Sequence, residues 1–465
     1  MKIPRILLAA GASGSGKTLI TCGLLQALVN RKLRVASFKC GPDYIDPMFH
    51  SRVIGTRSRN LDTFFTSPSR TRYLLGKNGQ GCDIAVMEGV MGYYDGVGGT
   101  STLASAYDLA SATDTPVILI VNSKGMSVSL AAYIKGFLEY KKDSHIKGVI
   151  FNQMSPMLYP RVKKMVEEEL SIDVLGYVPK VEDCVIESRH LGLVLPEEIP
   201  QLKKRLEKLA GILEDTLDMD RILSLAATAP DLKVPLSLGE EDEAFDFHLP
   251  EPVRIGVAKD EAFCFFYEDN FRLLQEMGAE LVFFSPVHDT HLPENIDGML
   301  LYGGYPELKG EELEKNVSMK DEIRKKILED MPCIAECGGF MYLHEEMEDM
   351  GGVFRKTCGV IPGKCYRTPR LTRFGYVTLT GNTSVFGRDD LGEIPAHEFH
   401  YFDSENCGSD FHASKPLSKR GWDCIHAQKR LMAGYPHLYY YGNPRIAQAF
   451  VVQCLKYKKE RQGEK

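Results

Sequence analysis

Short, almost continuously apolar runs recur through the first 225 residues and are separated by longer segments with helical periodicity. The runs span residues 5–10, 34–38, 83–87, 116–121 and 148–151. Helical patterns fall between them, for example at 17–31, 127–140 and 160–170. Continuous apolar strands that alternate with helices are typical of a parallel sheet covered on both faces. The pattern therefore predicts a doubly wound α/β domain over residues 1–225.

The pattern breaks between residues 226 and 251, where an acidic stretch at 238–243 lies among several prolines. Such a segment is typical of an interdomain linker. A second alternating unit follows over residues 252–446, with apolar runs at 254–258, 280–284, 298–302 and 333–335. It predicts a second doubly wound α/β domain. We expect residues 447–465 to form the end of a helix and a basic tail, frayed from Lys456 onward.

Composition narrows the class of protein. The 465 residues are 44% hydrophobic and 26% charged, as in globular proteins that fold in water. The formal net charge of −7 argues against nucleic-acid binding, and no apolar run reaches the roughly 18 residues of a membrane span. The N-terminal segment does not resemble a signal peptide, and the 12 cysteines include no C-x-x-C pair. We expect a cytoplasmic protein with reduced thiols, no membrane association and no zinc site.

A phosphate-binding loop lies between the first strand and the first helix. Residues 11–18, GASGSGKT, match G-x-x-x-x-G-K-[ST]. The glycines let backbone N–H groups face phosphate oxygens, the lysine reaches the outer phosphates, and the last hydroxyl can bind Mg²⁺. The sequence therefore predicts a P-loop NTPase-type domain whose ATP contacts are Gly11, Ser13, Gly14, Ser15, Gly16, Lys17 and Thr18. Asn152, at a strand end, is either a contact to the adenine edge or an ordinary turn asparagine.

Acidic residues follow two of the predicted strands. Asp43 and Asp46 lie in a loop after the second strand, and Glu88 ends the next run, with Asp95 beyond it. Carboxylates at this edge of an open sheet are candidate Mg²⁺ ligands, although turn-capping carboxylates are also common there. Three arginines follow the first acidic loop, either as a carboxylate clamp or as a solvated surface run: Arg52, Arg57 and Arg59.

Thiol chemistry is indicated far downstream. Cys337, in Ala335-Glu336-Cys337-Gly338-Gly339, follows an apolar run and precedes a helix expected to begin near Phe340. A cysteine on such a turn can be activated by the helix terminus and a nearby base. We expect the Gly338 N–H to donate to an oxyanion, with a second donor from the 302–307 loop, at Gly304. Spacing alone leaves the base open among His397, His400 and His437.

Together these motifs resemble the cobyrinate a,c-diamide synthase family over nearly the whole chain. The matching segments are 39–47 (KCGPDYIDP), 87–96 (MEGVMGYYDG), 188–193 (SRHLGL), 303–307 (GGYPE), 335–339 (AECGG) and 397–400 (HEFH). The resemblance implies an N-terminal ATP domain similar to dethiobiotin synthetase and a C-terminal class I glutamine amidotransferase domain. The implied enzyme is a carbon–nitrogen ligase of cobalamin biosynthesis. It would phosphorylate the a and c carboxylates of cobyrinate with MgATP and amidate them with ammonia from glutamine.

The resemblance also implies roles for individual residues. The family's active-site histidine lies in a Tyr-x-His-Leu setting, which here selects His437 as the partner of Cys337. Mg²⁺ would be bound by Thr18, Asp43 and Glu88. Substrate and the reacting phosphate would be contacted by Lys39, Asp43, Tyr44, Ile45, Asp46, Glu88 and Asp95.

The chain departs from the family pattern at two places. Class I amidotransferases usually carry an acidic residue two positions after the histidine, where this chain has Tyr439, so we expect another group to orient His437. Asn122-Ser123-Lys124 replaces the common Asp-Ala-Arg. The alternative substrates are hydrogenobyrinate and nickel-sirohydrochlorin, and the alternative from another class is a nucleotide-switched partitioning protein. The sequence is compatible with a homodimer.

Overall fold

The computed structural model describes residues 1–181, 188–189, 192–193 and 199–463. The chain divides into two compact units, Met1–Leu236 and Ser237–Lys465. The boundary therefore falls inside the stretch that the sequence predicts as a linker. Among the described residues, no helix has both the length and the apolar character needed to cross a membrane.

The first unit is built on a seven-stranded sheet in the order β3-β2-β4-β1-β5-β6-β7. The strands are β1 Arg5–Ala10, β2 Val35–Cys40, β3 Arg57–Leu61, β4 Ile84–Glu88, β5 Val117–Asn122, β6 Ile146–Asn152 and β7 Asp173–Val178, with a short hairpin of β8 Ser188–Arg189 and β9 Gly192–Leu193. The helices are α1 Lys17–Asn30, α2 Ile45–Met48, α3 Pro68–Gly79, α4 Ala106–Thr113, α5 Ser129–Glu139, α6 Tyr159–Leu170, α7 Leu202–Thr216 and α8 Met219–Ala227.

All six strand pairings of this sheet are parallel. β1, β2 and β4 are buried along their entire length, which explains their mainly apolar sequences. β1 lies between β4 and β5, so the chain after β1 leaves the sheet next to the end of β4. Open α/β sheets bind ligands at such a point. The predicted doubly wound α/β fold is confirmed for this unit.

Two parts of the first unit differ from the simplest interpretation of the sequence. Arg57 and Arg59 lie on edge strand β3, paired with β2, and are not part of an irregular loop. The segment before Leu236 packs on the first unit: Leu232 N–H donates to Met1 O (2.8 Å) and Arg5 Nη2 donates to Pro230 O (2.9 Å). Backbone and buried guanidinium contacts thus hold this segment against the first sheet.

The second unit contains a six-stranded sheet in the order β11-β10-β12-β13-β23-β22, parallel except for β22. The strands of the whole second unit are β10 Val253–Ala258, β11 Ala279–Phe284, β12 Gly298–Leu301, β13 Cys333–Glu336, β14 His344–Glu348, β15 Phe354–Lys356, β16 Ile361–Arg367, β17 Arg373–Gly381, β18 Ile394–His400, β19 Phe402–Ser404, β20 Phe411–Ser414, β21 Gly421–Cys424, β22 His426–Gln428, β23 Leu431–Gly434 and β24 His437–Leu438. Its helices are α9 Glu268–Glu276, α10 Gly310–Lys315, α11 Val317–Leu328, α12 Gly338–Tyr342 and α13 Pro444–Gln462.

Two further sheets, which the sequence did not predict, follow α12. One has the order β15-β14-β16-β19 and the other β21-β20-β17-β18-β24. Several of these strands are half-exposed and rich in charged residues, so they lack the continuous apolar runs that mark the parallel sheet. The predicted α/β class is confirmed, and the additional sheets extend it.

The C-terminal residues are helical, and the prediction of a frayed tail from Lys456 is wrong for the described residues. Helix α13 continues to Gln462. The Tyr457 side chain is buried, Lys458 Nζ donates to Glu251 Oε2 (3.0 Å), and Arg461 Nη2 donates to Asp297 Oδ1 (2.9 Å). The basic residues that suggested a solvated tail instead pair with carboxylates of the same unit.

Candidate active sites

The phosphate-binding loop connects β1 to α1 in a backbone conformation that depends on glycine. Gly14 and Gly16 have φ of 75° and 91°, in the left-handed region that favours glycine. A Cβ at Gly16 would lie 2.3 Å from Asn152 Nδ2, which donates to Ser15 O at 2.8 Å. Asn152 therefore supports the loop in this structure, and its assignment to the adenine edge stays a prediction.

Lys17 is folded back over the loop. Its Nζ donates to Ala12 O (3.3 Å) and to Met91 O (2.5 Å). Burial and the nearby Lys39 ammonium lower the pKa of Lys17 to about 8, against the opposing effect of Glu88. Phosphate oxygens at the loop would add negative charge beside this ammonium and favour its protonated form.

A cluster of charged and polar groups lies beside the loop; we call it the carboxylate cluster, and it consists of Thr18, Lys39, Asp46, His50 and Glu88. Lys39 and Glu88 are register partners near the ends of β2 and β4. Thr18 Oγ1 donates to Glu88 Oε1 (2.6 Å) and lies 3.4 Å from Asp46 Oδ2. Lys39 Nζ lies 2.5 Å from Asp46 Oδ2 and 2.9 Å from Glu88 Oε1. The sequence predicts four of the five members as site residues, and the fold brings them together: Thr18, Lys39, Asp46 and Glu88.

No motif singles out His50, the fifth member of the carboxylate cluster. It is fully buried in the π-helix Phe49–Ile54, which follows α2, and its Nε2 lies 3.2 Å from Glu88 Oε2. Burial alone would raise the pKa of Glu88, but Lys39 and His50 hold it well below its ordinary value. The Glu88 carboxylate is thus ionised, with Oε2 at 3.2 Å from His50 Nε2 and Oε1 facing Thr18 and Lys39.

Other predicted residues border the cluster. Asp43 Oδ1 accepts hydrogen bonds from the N–H groups of Ile45 (2.8 Å) and Asp46 (3.1 Å), so it shapes the turn that positions Asp46. Tyr44 directly precedes α2, and Asp95 Oδ2 accepts from Gly92 N–H (3.0 Å). Of the 188–193 motif, Ser188–Arg189 pairs with Gly192–Leu193, and residues 190–191 lie outside the described part of the chain.

The carboxylate cluster contains side chains that could act as ligands of a metal ion. Within the described ranges, no group of three or more His, Cys, Asp and Glu residues is placed to hold a metal. The carboxylate cluster offers two carboxylates and the Thr18 hydroxyl. Mg²⁺ is commonly bound through one or two carboxylates together with nucleotide phosphates, so these residues fit Mg²⁺ that arrives with ATP.

The second site is formed at the carboxyl ends of three adjacent parallel strands, β12, β13 and β23. Cys337 follows β13 directly, has φ 47° and ψ −105°, and caps α12, which begins at Gly338 and not near Phe340 as expected. Its N–H donates to Gly434 O (2.8 Å) at the end of β23. This conformation costs a non-glycine residue free energy, as is common at functional turns.

The loop after β12 approaches Cys337 closely. A Cβ on Gly303 would lie 2.5 Å from His437 Cε1 and 3.4 Å from Cys337 Cβ. A Cβ on Gly338 would lie 3.1 Å from the backbone nitrogen of Gly304. The two predicted oxyanion donors, Gly304 and Gly338, therefore lie next to each other beside the thiol.

The structure resolves which histidine accompanies the thiol. His437, on β24, is buried and in hydrogen-bonding contact with Cys337. Cys337 and Glu336 raise the pKa of His437 to about 9, outweighing the burial that would lower it. His400 instead binds Glu398 Oε2 (3.0 Å) and Phe402 O (2.6 Å), and it stacks on Tyr435.

Two comparisons with known proteins bear on the chain as a whole. Residues 6–193 match the CobQ/CobB/MinD/ParA nucleotide binding domain, and residues 254–444 match the CobB/CobQ-like glutamine amidotransferase domain. The chain is 36% identical over 459 residues to the cobyrinate a,c-diamide synthase of Caldanaerobacter subterraneus subsp. tengcongensis, covering 97% of this chain and 99% of the relative. It is 36% identical over 463 residues to that of Priestia megaterium, covering 98% of each chain. The chain belongs to the cobyrinate a,c-diamide synthase family.

The family resemblance predicted from the motifs is thereby confirmed. The relative from Clostridium acetobutylicum, also a cobyrinate a,c-diamide synthase, is 38% identical over 446 residues and covers 94% of this chain. These matches extend through both units, so the phosphate-binding loop and the thiol site belong to one enzyme of this family.

Glu336 is the residue of the thiol site that the sequence analysis missed. Its buried carboxylate lies 3.6 Å from His437 Nδ1, measured at Oε2. Tyr439, at the position where many class I enzymes have an acid, donates through its hydroxyl to Asp269 Oδ2 (3.1 Å). The sequence does contain a signal for Glu336: it is a carboxylate at the end of an otherwise apolar strand, directly before the nucleophile.

Gly303→Ala is expected to lower glutaminase activity by about 100-fold, because the new Cβ would collide with the His437 ring. Ammonia-dependent amidation should persist, since the carboxylate cluster is unchanged. Steady-state rates with glutamine and with ammonium chloride check this. Gly211→Ala is the matched control, because a Cβ there meets nothing within 4 Å. Full glutaminase activity in Gly303→Ala would contradict the packing described.

Proposed function

We propose that this chain amidates the a and c side-chain carboxylates of cobyrinate in cobalamin biosynthesis, using ATP and ammonia from glutamine. The single observation that supports this most is the presence of both sites on one chain that aligns over more than nine-tenths of its length with cobyrinate a,c-diamide synthases. The first unit would be the synthetase and the second the glutaminase.

In the synthetase reaction, a substrate carboxylate attacks the γ-phosphorus of ATP and ADP leaves. The loop N–H groups and Lys17 bind the phosphates, and Thr18, Asp46 and Glu88 are the residues that would hold Mg²⁺. When bound, Mg²⁺ neutralises charge on the transferring phosphoryl group. Lys39 lies between the two carboxylates and can stabilise the same charge. The product is an acyl phosphate, whose phosphate is a far better leaving group than the hydroxide of a free carboxylate.

In the glutaminase reaction, Cys337 Sγ attacks the side-chain amide of glutamine. The N–H groups of Gly304 and Gly338 would bind the oxyanion, and His437 transfers a proton to the departing ammonia. Water then hydrolyses the γ-glutamyl thioester and releases glutamate. Ammonia attacks the acyl phosphate, phosphate leaves, and an amide forms, with one ATP and one glutamine used for each amide.

Several predicted contacts complete the proposal. Asp43, Tyr44, Ile45 and Asp95 border the carboxylate cluster, where the acetate side chain of the macrocycle must meet the γ-phosphate. Because Asp43 Oδ1 receives two backbone N–H groups, we assign the metal-facing carboxylates to Asp46 and Glu88 and retain Asp43 for the substrate side.

Mass spectrometry with amide-labelled glutamine tests the proposed function. Purified protein would be incubated with cobyrinate, MgATP and labelled glutamine, and the labelled nitrogen in the product counted. Incorporation of two nitrogens at the a and c positions is expected. Glutamine hydrolysis without incorporation would contradict cobyrinate as substrate, and hydrogenobyrinate and nickel-sirohydrochlorin would then be supplied in its place.

His50→Gln is expected to raise the Mg²⁺ concentration for half-maximal amidation by roughly 10- to 100-fold, a typical cost of losing a residue that orients a metal ligand. The reason is that Nε2 of His50 holds Oε2 of Glu88, which directs Oε1 toward Thr18. Magnesium titrations check activity, and Mn²⁺ binding to the ADP complex, followed by electron paramagnetic resonance, checks affinity directly. An unchanged metal requirement would limit His50 to packing. His145→Gln, at a histidine near exposed Asp143, is the control.

A further inference from the structure

The thiol site contains a carboxylate that lies in the AECGG motif but to which the family resemblance assigns no role. Glu336 is the last residue of β13, directly before Cys337, and its side chain is 4% exposed. A buried carboxylate is costly unless it is paired with a charge or hydrogen-bonded. The partners that the structure gives it are the His437 ring, at 3.6 Å from Nδ1, and the backbone N–H of Leu438.

The fold places this carboxylate at the Nδ1 edge of the His437 ring. β13 and β23 are parallel neighbours with Glu336 opposite Gly434, and the chain after β23 turns through Tyr435 to bring His437 back beside the end of β13. Cys337 and Glu336 are adjacent in sequence, and both contact His437. One imidazole thus bridges two consecutive residues, the thiol and the carboxylate.

The residue at the usual position of the acid is engaged elsewhere. Tyr439 lies two positions after His437, and its hydroxyl donates to Asp269 Oδ2 at 3.1 Å. Antiparallel pairing with β18 puts His397 opposite His437, but burial and the His437 charge lower the pKa of His397 well below its ordinary value. A neutral imidazole carries no negative charge to balance an imidazolium, and among the described residues Glu336 is an anion placed beside His437 to do so.

We propose that Glu336 is the positioning residue of the thiol site, holding His437 by its Nδ1–H and stabilising the imidazolium that forms when Cys337 loses its proton. The inference rests on the proposed glutaminase role of Cys337 and His437. At 3.6 Å the Nδ1···Oε2 contact is at ion-pair distance, and catalytic hydrogen bonds of this kind often tighten in the reacting complex. A carboxylate that orients a histidine in this way is the general third member of a nucleophile–base pair.

Three other titratable side chains near Glu336 and His437 are expected to stay neutral at moderate pH. Tyr302 and Tyr440 lie beside Glu336, and burial raises the pKa of both well above their ordinary value, so both stay neutral at moderate pH. His397 is neutral there too. Burial raises the pKa of Glu336 above its ordinary value, and the neighbouring His437 opposes this rise, so protonation of Glu336 at low pH would remove its effect on His437.

The decisive variant is Glu336→Gln, which keeps the size of the side chain and removes its charge. We expect kcat for glutamine hydrolysis to fall by about 100- to 1000-fold with little change in KM, since the contact matters once His437 is charged. The rate of Cys337 alkylation by iodoacetamide should shift to higher pH by about one to two units, because the thiolate loses its stabilised imidazolium partner. Glu336→Asp, which restores the charge, should recover part of both losses.

Two controls keep the test specific. Glu398→Gln removes the carboxylate from another buried Glu–His pair of the same unit, Glu398 with His400 at 3.0 Å, and should leave the alkylation profile unchanged. Ammonia-dependent amidation should be normal in Glu336→Gln. A wild-type kcat and alkylation profile in folded Glu336→Gln would overturn the assignment of Glu336. If alkylation of the wild-type protein left its glutaminase activity intact, the proposed role of Cys337 would instead be overturned.

Discussion

Cys337→Ala is expected to abolish glutamine-dependent amidation, with a loss of at least about 10³-fold, while ammonium salts continue to support the reaction. Removing the nucleophile of a covalent mechanism leaves only the residual catalysis of the surrounding donors. The carboxylate cluster is unchanged by this substitution, so acyl phosphate still forms and free ammonia still displaces its phosphate. Paired assays with glutamine and with ammonium chloride at elevated pH, where more ammonia is unprotonated, measure the separation.

Cys333→Ala is the matched control for this substitution. Cys333 is also fully buried, at the start of the same strand β13, and burial raises the pKa of its thiol above the ordinary value. Its loss should cost about 1 kcal/mol of stability and leave glutaminase activity in place. If Cys337→Ala retained glutamine-dependent amidation, or if Cys333→Ala lost it selectively, the nucleophile would have to be reassigned.

Glu88→Gln should produce the complementary defect, a loss of about 10²- to 10³-fold in amidation from either nitrogen source. Glu88 is the buried anion that faces Thr18 and Lys39 through one oxygen and His50 through the other. A neutral amide there binds Mg²⁺ weakly and presents a donor where these partners need an acceptor. Glutamine hydrolysis measured without ATP or macrocycle should be retained, since no residue of the thiol site changes.

Glu214→Gln provides the corresponding control, because Glu214 pairs with Arg31 on the partly exposed surface of the same unit, at 2.6 Å. Exposed pairs of this kind contribute little to stability, so activity and melting temperature should stay close to those of the parent protein. Near-normal amidation by Glu88→Gln, with the same Mg²⁺ requirement, would remove Glu88 from phosphoryl transfer. An equal loss in Glu214→Gln would indicate general damage to the first unit.

The two variants together separate the activities of the chain. Cys337→Ala should keep the ammonia reaction and lose the glutamine reaction, whereas Glu88→Gln should lose both and keep glutamine hydrolysis. A mixture of the two purified variants would therefore contain one intact site of each kind. Recovery of glutamine-dependent amidation in that mixture would require ammonia to reach the intact synthetase through solvent or between molecules.

Apolar runs in the sequence correctly predict the strands that are buried on both faces of a sheet. β1, β4 and β5 have continuously apolar sequences because helices cover the sheet, and this signal is local. β17 and β21 were not predicted, because their exposed faces carry charged and polar residues and resemble loops. Only pairing with neighbouring strands identifies such segments.

The sequence alone was enough to identify the reactive groups that lie in short motifs. The phosphate-binding loop and Cys337 depend on short stretches in which glycines and one reactive side chain follow a strand, and their spacing is visible without a fold. The same holds for the carboxylates at the ends of β2 and β4. Which residues these groups would meet was left open, since spacing along a chain does not specify distances between separate strands.

Tertiary structure decided the partners. Pairing of β13 with β23 and of β24 with β18 brings His437 to the thiol and within 3.6 Å of Glu336. His400 is instead stacked on Tyr435. Burial of His50 behind Glu88 likewise required the fold. The physical reason is that a charged group's role depends on its distance to other charges and its access to water, and both arise only when distant segments pack together.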